Sequence, residues 1–176
     1  MDKEKLKQIW KYRDMAIWLV FLRLIVGFEW LFAGIHKVPD FPQSMQYILP
    51  NFAADNPYNW MVYLINNAFL PHAELLGYLV MIGEIIVGAL LILGLFTNFA
   101  AIGSIFLNFI FFFASGHLSE STFSINWILI AIGFIILLSP GSKHLGLDKL
   151  IAHYLPFFNR LLLDWFGFEK LKKQEM

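Results

Sequence analysis

Hydrophobic positions along the chain run in blocks too long for a soluble core. Met15–Ile35 and Leu75–Phe96 are nearly unbroken apolar stretches, and two shorter ones follow at Phe99–Ser115 and Phe123–Ser139. A helix needs about 20 apolar residues to cross roughly 30 Å of hydrocarbon, so the pattern predicts an all-α integral membrane bundle of four spanning helices. Residues 1–176 make one domain in this reading, with spans at about 15–35, 75–96, 99–115 and 123–139. Asp55-Asn56-Pro57 supplies a capping residue and a helix-starting proline, which predicts a short helix over Tyr58–Phe69 on the outer face, inside the long loop His36–Glu74. Pro140-Gly141 stops the fourth helix. Residues 140–176 then predict an interfacial tail of two amphipathic segments split by Pro156, anchored by Trp165, Phe166 and Phe168 beside Lys170, Lys172 and Lys173.

Composition agrees with the pattern: 59% hydrophobic and 15% charged residues are too apolar and too charge-poor for an ordinary soluble domain. The 13 basic residues balance the 13 acidic ones, so no basic field points to nucleic acid. Their distribution is uneven, because all the Lys and Arg except Arg23 and Lys37 flank the bundle on the side of the two termini. The positive-inside rule predicts a multi-pass protein of the cell membrane with both termini cytoplasmic. The first span is too long and too charged for a cleavable signal and is expected to be retained. Cysteine is absent, which removes thiolate chemistry and Cys-ligated metal centres from this chain. His36, His72 and His117 lack a helical metal-binding spacing, so neither metal nor haem is expected.

Ionisable residues inside apolar spans are costly and mark sites, which singles out Arg23, Glu29 and Glu84. Arg23, Gly27, Trp30, Gly34 and Lys37 share one side of the first helix, and Gly77, Glu84 and Gly88 share one side of the second. A glycine-mediated approach of these faces predicts an Arg23–Glu84 salt bridge, read either as a clasp fixing helix register or as part of a ligand site. Glu29 projects about 120° away from Arg23 and needs another partner, for which Asn108 lies at a suitable depth. With His36, Lys37, His117, Asn126 and Trp127, these residues predict a polar cavity in the outward half of the bundle, floored by Arg23–Glu84 and flanked by Trp30, Phe111 and Trp127. Lys37 either contacts a ligand there or snorkels to the outer headgroups.

Several motifs resemble one family. Arg23-Leu24-Ile25-Val26-Gly27, with Trp30, Ala33-Gly34 and Lys37, is similar to the first-helix signature of the DoxX/DoxD family. Gly83-Glu84-Ile85-Ile86-Val87-Gly88, Leu93-Gly94-Leu95-Phe96-Thr97, Asn126-Trp127 and the stretch from Gly141 to Asp148 resemble its later motifs. The long outer loop looks like the DoxD type, the small subunit of thiosulfate:quinone oxidoreductase. The resemblance implies a four-helix membrane subunit, in some members part of an enzyme passing electrons from thiosulfate to quinone and in others associated with oxidative-stress or sulfur-handling complexes. Menaquinone or ubiquinone is then the expected cofactor and a redox subunit the expected partner, with a homo-oligomer as a separate expectation. The resemblance carries the family's charged motif positions to Arg23, Lys37 and Glu84. Glu84, Arg23 and Glu29 are then the candidate catalytic residues. Lys37, Trp30, Asn108, His117, Asn126, Trp127 and His36 are the candidate ligand contacts. The alternative is a non-enzymatic membrane scaffold or a small transporter of an anion or weak acid.

Overall fold

The computed structural model describes residues 3–38, 40–143 and 145–154. Among them there are only helices: α1 (Lys3–His36), α2 (Phe41–Ala53), α3 (Asn59–Leu64), α4 (Ala73–Leu93), α5 (Thr97–Ser115), α6 (Glu120–Leu138) and α7 (Leu147–Tyr154), with short π and 3-10 turns between some of them. Four stretches are long and apolar enough to cross a membrane, at Ala16–His36, Asn59–Leu93, Thr97–Leu118 and Glu120–Leu138, and the protein is a multi-pass membrane bundle.

The second span is continuous with the outer-loop segment before it: α3 runs through a π turn at Ile65–Phe69 and a 3-10 turn at Leu70–His72 into α4, and the apolar stretch covers Asn59–Leu93. Pro71 accounts for the irregular stretch, since its ring and missing N–H disturb the helical hydrogen bonds of the preceding turn. The outer loop also holds two helices instead of one. α2 was hidden by its prolines, yet Pro42 sits in the first turn, where a proline is tolerated, and Pro42, Met45 and Leu49 form its buried stripe.

Helix register follows from close backbone approach. Cβ atoms placed on Gly27, Gly34 and Gly88 would collide with Leu91–Ile92, Ile85 and Leu31 respectively, so α1 and α4 pack antiparallel with little between them. The facing pairs 27 with 92, 31 with 88 and 34 with 85 each sum to 119, and Pro42 against Gly77 keeps the same sum. α2 therefore continues along α4 beyond the end of α1. One apolar core, including Val26, Trp30, Val87, Leu91, Ala101, Ile105 and Ile136, fills the bundle. A second, built on Met45, Leu49, Met61, Ile65, Ala73 and Ala114, seats α2 and α3 as a cap on the end away from α7.

Asn56 ties the cap down. Its Nδ2 donates to the carbonyls of Phe52 (2.9 Å), Phe113 (2.9 Å) and Ala114 (3.2 Å), and its Oδ1 accepts from the Tyr58 N–H (2.9 Å). Asn56→Ala is expected to cost about 2–3 kcal/mol by stranding buried carbonyls, and to make residues 54–58 cleavable by added protease. Cleavage no faster than in the wild type would show the tether to be dispensable.

Candidate functional site

The register separates the two charged residues that sequence pairing put together. Glu84 is level with residue 35 of α1, and Arg23 is level with residue 96, beyond the far end of α4. Along α4 the ten residues from Glu84 to Gly94 measure about 15 Å. The expected Arg23–Glu84 bridge does not form, so this pair floors no cavity. Counting depth from the ends of the apolar runs assumed that the first two spans start level; α4 in fact overshoots α1, and α2 covers the excess.

The cap-side centre is an ion pair between Lys37 and Glu84. Lys37 Nζ reaches both carboxylate oxygens, at 2.8 Å and 2.6 Å, and makes a longer contact with the Ala33 carbonyl at 3.5 Å. Glu84 is 1% exposed, whereas the Lys37 side chain is 22% exposed. The ammonium lies 5.2 Å from the centre of the Phe41 ring and 6.0 Å from that of Phe111, within range of attraction to their faces. Phe111 packs on Trp30 at 6.2 Å, and Trp30 donates its indole N–H to Ser104 Oγ at 2.7 Å. Asn108, also buried, donates to the Ser104 carbonyl (2.9 Å). Ser104, Asn108 and Phe111 share a face of α5 at helical spacing, which places the amide between the Trp30 contact and the Lys37 contact. Lys37 thus points inward to a buried carboxylate and not to the headgroups.

At the opposite end Arg23 has a structural task. Its guanidinium donates to the Ser142 carbonyl at 2.9 Å and packs on Gly94 and Gly146, and Asp148 acts on it electrostatically. Asp148 is fully buried and accepts the N–H groups of Phe96 (2.7 Å) and Thr97 (2.8 Å), capping the start of α5 from 51 residues away. Its own N–H returns to the Gly94 carbonyl at 2.8 Å. Gly94 ends α4 with φ of +61°, where a Cβ would also strike Gly146. Asp148 lies in the family-like motif of the exit segment, but nothing in its local sequence marks it as a cap for a helix that starts 51 residues earlier. The apolar layer of Val26, Val87, Leu91, Ala101 and Ile136 lies between this cluster and Glu84.

The remaining candidates disperse. Glu29 is exposed on the outside of α1 and does not face Asn108. His36 is exposed and donates from Nδ1 to its own helix at the Phe32 carbonyl (2.7 Å). His117 donates from Nε2 to the Ala54 carbonyl (3.0 Å), fastening the cap, and its Nδ1 is buried without a partner. A polar recess of about 360 Å³ opens beside it between Ser119, Glu120 and Ser124. Asn126 is buried and bonds to the Thr122 carbonyl at 2.7 Å. Trp127 is 54% exposed and lines an apolar groove of about 410 Å³ with Phe109, Ile128, Ile130, Ala131 and Phe134, away from the ion pair. Among the described residues no group of three or more His, Asp or Glu side chains could hold a metal ion. The tail residues Trp165, Phe166, Phe168, Lys170, Lys172 and Lys173, and Pro156, lie outside the described residues.

No curated protein and no solved structure matched the chain. A family model described as the TQO small subunit DoxD matches residues 18–166, covering all four spans from within the first to beyond the last. The chain therefore belongs to the DoxD family of membrane proteins.

Proposed function

We propose that this protein is the membrane subunit of a quinone-linked oxidoreductase of the thiosulfate:quinone type, and that a quinone headgroup binds at Lys37–Glu84. The observation that carries this reading is a charged pair between α4 and the end of the first span, whose acid is buried while its base is partly open and lies 5.2 Å and 6.0 Å from the centres of two aromatic rings. The donor set suits a quinone. Two ammonium protons go to Glu84, and the third, held only by the long contact to Ala33, is available to a carbonyl oxygen. Phe41 and Phe111 offer flanking surfaces for a flat ring.

A bound quinone supplies an acceptor for two electrons and two protons, the electrons coming from a donor oxidised on a partner subunit. Lys37 orients the carbonyl and holds charge against it. Glu84 keeps the ammonium in place and can take up or release a proton as the pair changes between charged and neutral forms. The 22% exposure of Lys37 gives that proton a route on the cap side, while the apolar layer beneath Glu84 closes the other direction. Trp30, Ser104 and Asn108 brace the wall behind.

The test is quinone uptake by purified protein in detergent, followed through tryptophan fluorescence and by extraction of the retained quinone. Lys37→Met and Glu84→Gln are each expected to weaken binding of menaquinone or ubiquinone by about tenfold or more, the loss of a charge-assisted hydrogen bond, with helical content unchanged. Wild-type protein that retains no quinone above the level of the surrounding lipid, or variants that bind it as well as the wild type, would overturn the assignment.

A further inference from the structure

Glu29 is an acid on the wrong side of its helix. It stands three residues, about 4.5 Å, from the middle of the span Ala16–His36, yet it is exposed on the bundle's outer surface. Its neighbours on that surface, Ile25, Phe28 and Phe32, are each about half-exposed, and Phe28 stacks on Phe32 at 6.1 Å. No hydrogen bond or ion pair reaches the Glu29 carboxylate among the described residues, and the nearest cations along the chain on either side turn elsewhere, Arg23 to Ser142 and Lys37 to Glu84. Side chains that can ionise at this depth pair or face a protein interior, because hydrocarbon solvates neither the charge nor the neutral acid's hydrogen-bonding groups.

We propose that the Ile25–Phe28–Glu29–Phe32 face of α1 docks a transmembrane helix of a different subunit, which presents an arginine or lysine to Glu29 near mid-membrane. Charge selects that occupant. A second copy of this chain has nothing complementary to offer: within the four spans the basic residues are Arg23, which is buried, and His36, His72 and His117, which lie at the cap end. A two-fold contact through α1 would set Glu29 against Glu29, and like carboxylates repel. The apolar ridge supplies contact area on either side, and the single acid fixes the depth and rotation of the incoming helix. The proposal stands on the exposure of Glu29 alone and does not depend on quinone binding.

A model helix tests the surface without the natural partner. Donor-labelled full-length protein is placed in phosphatidylcholine vesicles with acceptor-labelled transmembrane peptides of leucine and alanine, one carrying a single central arginine and one wholly apolar. Energy transfer is expected to show the arginine peptide binding about tenfold more tightly than the apolar one. Glu29→Leu should abolish that preference and Glu84→Gln should retain it. Circular dichroism of each variant checks that the helices are intact. The proposal is overturned if both peptides bind wild-type protein equally, if the preference survives Glu29→Leu, or if it is lost with Glu84→Gln instead. Energy transfer between copies of the protein that disappears in Glu29→Leu would also overturn it, in favour of a self-contact.

Discussion

Asp148→Ala should lower stability by about 3–5 kcal/mol, the largest loss expected from a single polar replacement in this chain. Two backbone donors lose their acceptor at once, the N–H groups of Phe96 and Thr97 at 2.7 Å and 2.8 Å, and the buried Arg23 guanidinium loses the countercharge of Asp148 while keeping its bond to the Ser142 carbonyl. The first two are helix-start donors with no other side-chain cap, since α5 begins from Phe96 in a left-handed conformation at φ of 48°. Removing a cap alone costs about 1 kcal/mol, so most of the effect comes from the stranded charge. Asp148→Asn keeps one of the two acceptors for the α5 backbone and gives up the other together with the charge, so its loss should fall between alanine and wild type. Thermal unfolding in mild detergent measures all three. An alanine variant within about 1 kcal/mol of the wild type would show that the end cluster does not hold α4, α5 and the exit segment together.

Gly88→Val should separate α1 from α4. A Cβ there would lie 2.7 Å from Leu31 Cα and 2.8 Å from the Gly27 carbonyl oxygen, and backbone atoms cannot rotate away as a side chain would. Overpacking usually costs about 1–3 kcal/mol, and a clash with backbone on a contact that sets the register of the whole bundle belongs at or above the upper end. Gly83 is the internal control, five residues away on the same helix. Its added Cβ meets only Leu107 Cδ1, at 4.0 Å, so Gly83→Ala should be neutral or stabilise by up to about 1 kcal/mol through helix propensity. Unfolding of both variants in detergent, with helical content monitored, distinguishes a packing contact from a general sensitivity to substitution. Because Lys37 and Glu84 sit on the two helices that Gly88 holds together, quinone retention should fall with Gly88→Val and persist with Gly83→Ala.

The alternation of long apolar runs with short polar breaks was enough to establish four membrane spans, because hydrocarbon demands length and apolarity from any segment that crosses it. The same reasoning identified Lys37, Glu84, Trp30 and Asn108 as members of a polar centre, and the structure brings these four to one region near the cap side. Which charge met which was beyond the sequence. Helical periodicity gives the face of a residue but not its height relative to another helix, and Arg23 and Lys37 share a face. Close contacts at Gly27, Gly34 and Gly88 decided the height, giving Lys37 to Glu84 and leaving Arg23 to Ser142 and Asp148. The outward rotation of Glu29 was likewise decided by which side of α1 packs on α4, since an apolar helix carries hydrophobic residues all round and its sequence does not say which side meets lipid. Apolarity alone thus determined that the chain spans a membrane, while tight backbone packing between helices determined where its few charges came to rest.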